Sequence, residues 1–374
     1  MVSRALVRAA SLTAVGLTAH TAYNLTRLRT LPLSAPDVSE SVSILIPARN
    51  EEAHVARTVQ DALAQTGIAD LRVIVLDDGS TDRTAEILDS IVDPRLTVIH
   101  APDDLPPEGW IGKTWACARL AEEASGSVLV FLDADVRLEP GAVAGGIHLL
   151  RSLRLDLVAP YPRIVASTAL QRLVQPILTW SWATTVPLGW AETSQWSSLS
   201  AANGQFLVFD AEAYRRMGGH AAVSAEVLED IALMRAVRTA GGRAITADGS
   251  DVSSCRMYAT DREMVDGYTK SLWDAFGSAA GSIAATTFLL GTYTLPALAL
   301  ASRDAGTRRW GALGYSAGVL GRELVARRTG EPCLTRGSPD PLAHPVSIAV
   351  VAALTALSWK RRRAGTTHWK GRPV

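Results

Sequence analysis

Two aspartates, Asp133 and Asp135, directly follow an apolar run in VLVFLDADVRLEP (residues 128–140). A buried carboxylate is unfavourable unless charge or hydrogen bonds compensate it, so a pair at a strand end asks for a cation. In an extended chain side chains alternate, which puts Asp133 and Asp135 on one side and Ala134 on the other. Oxygen donors so placed suit a hard dication, Mg²⁺ or Mn²⁺. Such an ion can clamp a diphosphate and stabilise it as a leaving group. Alone, D-x-D is equally an ordinary acidic turn.

Other segments add weight. LDDGSTD (76–82) sets Asp77 and Asp78 before a glycine turn, where an acid can hydrogen-bond a nucleoside's base or ribose. Ser80 or Thr81 there can cap the next helix. IPARNEE (46–52) brings Arg49, Asn50 and Glu51 to another strand end, and GWIGKTWA (109–116) offers Lys113 as a counter-charge for phosphate. By itself Lys113 would read as a solvated lysine. In LEDIALMRAV (228–237), Glu229 and Asp230 open a helix with Ile231, Met234 and Val237 as apolar positions. An aspartate can cap a helix without any catalytic role. Transfer to a hydroxyl, however, needs a carboxylate to take its proton, and Asp230 is the best candidate for that base.

Apolar strands alternate with amphipathic helices to position these residues. SVSILIP (41–47, ended by Pro47), LRVIVLDD (71–78), RLTVIH (95–100) and SVLVFLD (127–133) read as strands. The segments 51–67, 82–92, 114–124 and 141–153 read as helices between and after them. Near-continuous apolar strands argue for a parallel α/β sheet covered on both faces, with ligands at the carboxyl ends of the strands. Residues 170–190 are apolar and Trp-rich but broken by Pro176 and Pro187, as suits a helix on a membrane surface, beside a greasy channel, or in a core.

Lys+Arg and Asp+Glu both number 37, so no basic footprint speaks for nucleic acid. Cys117, Cys255 and Cys333 show no metal-ligand or redox spacing. Residues 275–301 pass without a charge, as do 342–359 before KRRR; a crossing needs about 20 residues. Trp273, Trp310 and Trp359 flank these runs, where aromatic rings favour the membrane interface. The stretches 5–23, broken by Arg8 and His20, and 310–321 are weaker candidates.

Together PARNEE, LDDGSTD, FLDAD and LED resemble an inverting family 2 glycosyltransferase of the nucleotide-diphospho-sugar (GT-A) fold. GWIGKTWA, NGQFLVFDAEAYRRMGGH (203–220), RMY (256–258) and WKGR (369–372) resemble its membrane-bound carotenoid and diaponeurosporenoate glucosyltransferase subgroup. The resemblance implies a mainly parallel sheet flanked by helices, with C-terminal transmembrane helices. The implied organisation is an N-terminal anchor or interfacial helix and linker (1–35), a catalytic domain (36–268), membrane helices (269–359) and a basic cytoplasmic tail (360–374). Pro47, Arg49, Glu51 and Asp78 would form the nucleoside pocket of a UDP-sugar site. Lys113 would face phosphate, Asp135 would be the main metal ligand, and Asp133 would lie near metal and ribose. Asp230 would be the base, with Glu229 supporting the acceptor site. Asn203, Gly204 and Gln205 would line the sugar–acceptor junction. Arg256 and Tyr258 stand where processive synthases carry Q-x-x-R-W; its absence argues for one sugar, a hexose, added per lipophilic acceptor. Trp369 and Arg372 would fold back beneath the donor site, Arg372 or Lys370 facing phosphate. The expected location is the cell membrane, multi-pass, with the catalytic domain cytoplasmic and membrane lipids as partners. The alternatives are a polyprenyl-phosphate glycosyltransferase and a non-catalytic membrane scaffold with a degenerate transferase domain.

Overall fold

The strands that frame the site are β1 (Val38–Ala48), β2 (Ile68–Asp78), β3 (Leu96–Ala101), β4 (Val128–Leu132), β5 (Val136–Leu138), β6 (Leu157–Tyr161), β7 (Arg163–Ile164), β8 (Phe206–Asp210), β9 (Ala244–Asp248) and β10 (Ser253–Cys255). These come from a computed structural model, which describes residues 3–102 and 104–366 and the backbone of 368–369 and 372–373. Seven strands form the main sheet in the order β3-β2-β1-β4-β8-β6-β9, and β5-β10-β7 form a small second one. β1, β2, β3 and β4 are parallel and β6 pairs parallel with β9, whereas β8 runs antiparallel to both β4 and β6.

Both faces of the sheet are covered, which is why the strands read as unbroken apolar runs. Ile44 and Ile46 of β1 enter one core layer with Val55, Val59 and Leu150. Leu45 enters the other with Ala116, Leu120 and Leu233. The covering helices are Val55–Leu63 and Ala142–Ser152 on the first side, and Gly112–Glu123 and Glu229–Thr239 on the second. Strand alternation thus distributes a single apolar segment between two layers. β1 continues one residue past Pro47, to Ala48.

The helical part differs more from expectation. Residues 310–321 are the middle of one long helix, Ala305–Arg328, and residues 5–23 lie within another, Arg4–Arg27. The two lie side by side, with Ser11 Oγ donating to Trp310 O at 2.7 Å and Thr18 Oγ1 to Ala317 O at 2.8 Å. Glycines permit the close approach: a Cβ on Gly314 would fall 2.5 Å from Ser11 Oγ. Small residues at helical spacing serve this purpose between packed helices. Arg8 and His20, which made 5–23 read as marginal, are both accommodated. The Arg8 guanidinium lies 5.3 Å from the Trp310 ring, and His20 Nδ1 is 2.8 Å from Thr184 O. Pro176 and Pro187 divide 170–190 into short helices, Ala169–Val174, Pro176–Thr185 and Leu188–Ala191.

Among the described residues two helices are long and apolar enough to cross a membrane: Ala279–Ala299, with a π-helical turn at Leu290–Thr294, and Asp340–Arg363. Only 28% of the apolar window in the first and 39% in the second is buried within the protein. At the end of the second, Arg362 lies 4.6 Å from the Trp273 ring and Arg363 5.9 Å from the Trp359 ring. In the tail, β11 (His368–Trp369) pairs antiparallel with β12 (Arg372–Pro373), beside helix Asp261–Ser271. The expected fold-back of the tail, with Arg372 or Lys370 facing phosphate, falls on Lys370, Gly371 and the side chains of Trp369 and Arg372, which lie outside the described residues.

Candidate active site

The direction of β8 brings the motifs together. Because β8 is antiparallel to β4, with Leu132 opposite Phe206, the residues entering β8 meet those leaving β4. Asp133 N donates to Gln205 O at 3.0 Å. Asn203 and Gln205 lock each other: Gln205 N donates to Asn203 Oδ1 and Asn203 Nδ2 to Gln205 Oε1, both at 3.0 Å. Between them Gly204 N donates to Asp230 Oδ2 at 2.9 Å. A Cβ on Gly204 would fall 3.0 Å from Glu229 Oε1 and 3.3 Å from Lys113 Nζ, so a larger residue would crowd the charged centre.

Lys113 is the hub of that centre. Its Nζ lies 2.8 Å from Asp133 Oδ1 and 2.8 Å from Glu229 Oε1. The expected phosphate counter-charge is therefore engaged by two carboxylates, one from each half of the catalytic region. Burial works against the Lys113 charge, but Asp133 and Glu229 outweigh it and hold the ammonium protonated. Burial likewise pushes Glu229 upward, and Lys113 reverses this to a net lowering. Asp230 goes the other way: burial first, then the neighbouring Glu229 charge, push its carboxyl up to about 7. Its Oδ1 accepts from Ile231 N at 2.8 Å, inside a helix that starts at Glu229 behind Leu228.

A carboxyl raised to about 7 is a strong base that still ionises at neutral pH. The rate is expected to fall as pH drops through about 7, where Asp230 takes up its proton. In Glu229→Gln the repulsion that raises Asp230 is gone, so this acidic limb should move to lower pH. A kcat/KM–pH profile of both proteins checks the sign.

The D-x-D geometry is not that of a strand. β4 ends at Leu132, and Val136 N donates to Asp133 O at 3.1 Å, closing a turn over 133–136. Alternation therefore does not orient the pair. Asp133 turns to Lys113, while both aspartates act on the buried Cys255, which β10 sets opposite Val136. Burial, then these charges, push the Cys255 thiol well up, so it stays protonated and accepts from Gln205 Nε2 at 2.7 Å.

This donor set fits a hard divalent cation. Four carboxyls, Asp133, Asp135, Glu229 and Asp230, share the edge with Lys113 and, more remotely, Lys270, and supply oxygen donors. Among the described residues no three His, Cys, Asp or Glu side chains close around one point.

At the neighbouring strand ends, the β1 and β2 loops are stitched together. Arg49 donates to the carbonyls of Asp78 and Gly79, Asn50 N to Ser80 Oγ at 2.9 Å, and Thr81 N to Asn50 Oδ1 at 2.8 Å. Asn50 has φ 52°, a left-handed conformation that asparagine tolerates. Ser80 and Thr81 are therefore spent on Asn50 and do not cap the next helix, which begins at Thr84 with Asp82 accepting from Thr84 N at 3.0 Å. Glu51 N donates to Thr84 Oγ1 at 2.8 Å, and Pro47 lies opposite Leu76 inside the β1–β2 ladder. Asp77 faces His100 at 3.3 Å, and Asp78 pairs with Arg119 at 2.6 Å.

Arg119 and Tyr161 were missed in the sequence. Arg119 is on the helix that carries Lys113, its guanidinium 5.3 Å from the Trp115 ring. Tyr161, at the end of β6, is buried beside Asn203; burial, then Asp230, push its phenol well up. Tyr258 is buried against Tyr268, with ring centroids 6.0 Å apart, in a cluster with Val174, Met264 and Leu354 that joins the sheet domain to the last long helix. Arg256 is exposed and outside the hydrogen-bonded cluster.

Residues 43–188 match the family model described as Glycosyl transferase family 2. The chain is 27% identical over 347 residues to a 4,4'-diaponeurosporenoate glycosyltransferase of Staphylococcus aureus (strain USA300), covering 89% of this chain and 88% of that one. A 4,4'-diaponeurosporenoate glycosyltransferase of Staphylococcus haemolyticus (strain JCSC1435) is 28% identical over 243 residues, 63% of this chain and 62% of the other. Among solved structures, mannosyltransferase PcManGT from Pyrobaculum calidifontis, in complex with GDP-Man and Mn²⁺, superposes with a TM-score of 0.57 at 18% identity. That superposition covers 94% of this chain and 98% of that one, and it shows the fold. Over residues 43–188 the chain is thus similar to family 2 glycosyltransferases, and its fold is the GT-A fold.

Proposed function

We propose that the protein is a membrane-bound, inverting, metal-dependent glycosyltransferase that moves one hexose from a nucleotide diphosphate sugar, of the UDP class, to a hydroxyl of a lipophilic, isoprenoid-like acceptor. The observation that carries this reading is Asp230: a carboxyl raised to about 7 at the sheet edge, hydrogen-bonded to Gly204 N. A base so tuned suits an acceptor that must lose a proton, as a hydroxyl must and a carboxylate need not.

Arg49, Glu51, Pro47 and Asp78, steadied by Arg119, hold the nucleoside at the β1 and β2 ends. Asp135, with Asp133, would hold the Mg²⁺ or Mn²⁺, whose charge when bound stabilises the departing diphosphate. Asn203, Gly204 and Gln205 form a rigid floor beneath the sugar. Asp230 removes the acceptor proton while the acceptor oxygen attacks the anomeric carbon from the side opposite the diphosphate, in a single displacement. Glu229, held by Lys113, stays ionised and keeps Asp230 basic.

The acceptor's lipophilicity is read from the helical part. The two long apolar helices leave most of their windows outside the protein core, with Ile283, Phe288, Leu298 and Val346 exposed. Trp273, Trp359 and the cluster Lys360–Arg363 stand together at one end, as at a cytoplasmic membrane face. The catalytic domain and the basic tail then share the cytoplasmic side, where nucleotide sugars are available. The relatives named for diaponeurosporenoate support an isoprenoid acceptor. Mass spectrometry of lipids from cells with and without the gene tests this. The expected result is a hexose-sized increment on a neutral lipid, present only with the gene. An acid-labile phosphodiester product would assign the acceptor to polyprenyl phosphate instead.

A further inference from the structure

The turn that carries Asp133 and Asp135 is tied at both ends. At its start, Asp133 N donates to the main-chain carbonyl of Gln205 at 3.0 Å. At its close, Val136 is the residue that the β5–β10 ladder sets opposite Cys255. The Gln205 side-chain amide donates to Cys255 Sγ and joins the two ties, so the turn, Cys255 and Gln205 form a closed ring. Neither partner of the turn is loose. Gln205 is locked to Asn203, and Cys255 lies on the central strand of the small sheet, its carbonyl accepting from Val165 N at 2.8 Å.

A further tie comes from the helix Val55–Leu63. Thr58 Oγ1 lies 2.7 Å from Ala134 O and 3.0 Å from Val136 O, the carbonyls of the residues on either side of Asp135. It is 3.5 Å from His54 O in its own helix. A hydroxyl has one proton to give, and a helical threonine commonly spends it on the carbonyl four residues back. Thr58 instead shares it with the turn. Thr58 and Cys255 are both 0% exposed, so water does not compete for either tie.

A fixed turn matters because the two carboxylates on it repel one another. Without the ties, the backbone that carries Asp135 could swing away and an ion would have to draw it back. Groups that orient a metal ligand from behind are worth about 10–100-fold in metal affinity. Burial, then the charges of Asp135 and Asp133, keep the Cys255 thiol protonated, so its proton is there to face Asp135. We propose that Thr58 and Cys255 are positioning residues for the divalent cation, holding the turn so that Asp135 stands in place before the ion arrives. This inference rests on the metal-dependent reading above.

Titration of Mn²⁺ into the full-length protein in phospholipid micelles with UDP, read by electron paramagnetic resonance, tests it without turnover. Thr58→Val, which exchanges the hydroxyl for a methyl group, and Cys255→Ala should each weaken Mn²⁺ binding about tenfold or more. Thr58→Ser keeps the hydroxyl and should bind Mn²⁺ close to the wild type. UDP affinity in chelator should be the same in all of them. Wild-type Mn²⁺ affinity in both Thr58→Val and Cys255→Ala overturns the proposal. So does a loss that Thr58→Ser shares in full, because packing and not the hydroxyl would then be at work. If Thr58→Val melts too early to titrate, Cys255→Ser against Cys255→Ala makes the same comparison, the serine keeping a proton to donate; equal losses in that pair overturn the proposal. A wild type that binds no Mn²⁺ removes the metal-dependent reading itself, whereas binding that every variant retains removes only this inference.

Discussion

Asp230→Asn is expected to lose about 10²–10⁴-fold in turnover, the contribution of a positioned general base, while nucleotide-sugar affinity stays near that of the wild type. The donor contacts proposed above are at the β1 and β2 ends, whereas Asp230 is held between Gly204 and Ile231. The same variant should melt no earlier than the wild type at pH 8. Asp230 has a folded-state value raised to about 7, above the ordinary carboxylate range. Its native state therefore binds the proton more tightly, and wild-type stability falls as pH rises from that ordinary range through about 7. Above that window the asparagine removes an unfavourable buried charge; well below it, the difference vanishes. A variant that turned over normally but melted earlier would make Asp230 a structural member of its helix. Steady-state kinetics and melting curves at two pH values distinguish these outcomes.

Asp135→Ala should abolish the stimulation of nucleotide-sugar binding and transfer by Mg²⁺ or Mn²⁺, at a cost of about 10²-fold or more in rate, because a bound dication supplies several kcal/mol to the leaving group. The variant should fold normally, since Asp135 is only half-buried in a turn at the sheet edge. Isothermal titration with UDP, in divalent cation and in chelator, reads this directly. Equal affinity in both conditions for the wild type would contradict the metal assignment. Asp133→Asn is the informative companion. Lys113 would keep Glu229 as its partner, so some metal response should survive if Asp135 is the main ligand.

The apolar periodicity of β1, β2 and β4 was enough to place Asp78, Arg49 and the D-x-D pair at one sheet edge, because parallel strands carry their carboxyl ends to the same side. The arrival of Asn203–Gln205 at that edge depended on β8 running antiparallel, a tertiary pairing that no local pattern announces. The partners of Lys113 were hidden for the same reason: Asp133 and Glu229 are far apart in sequence, and only the fold brings both within 2.8 Å. The orientation of Asp133 and Asp135 followed from assuming an extended chain where the backbone turns. In the helical part, length and charge identified the two long apolar helices, but not the packing of Arg4–Arg27 against Ala305–Arg328. That contact depends on Gly314 and its neighbours, whose lack of side chain registers as weak hydrophobicity in the sequence.

Transfer itself, measured with stereochemistry, tests the central claim most directly. Purified protein in phospholipid micelles, given UDP-hexose, Mg²⁺ and an isoprenoid alcohol, should release UDP in step with a chloroform-soluble glycoside. Its anomeric configuration, read by NMR, should be opposite to that of the donor, and each acceptor should carry one sugar. A product of retained configuration, a growing chain of sugars, or release of free hexose with no lipid glycoside would contradict single displacement onto a lipophilic hydroxyl.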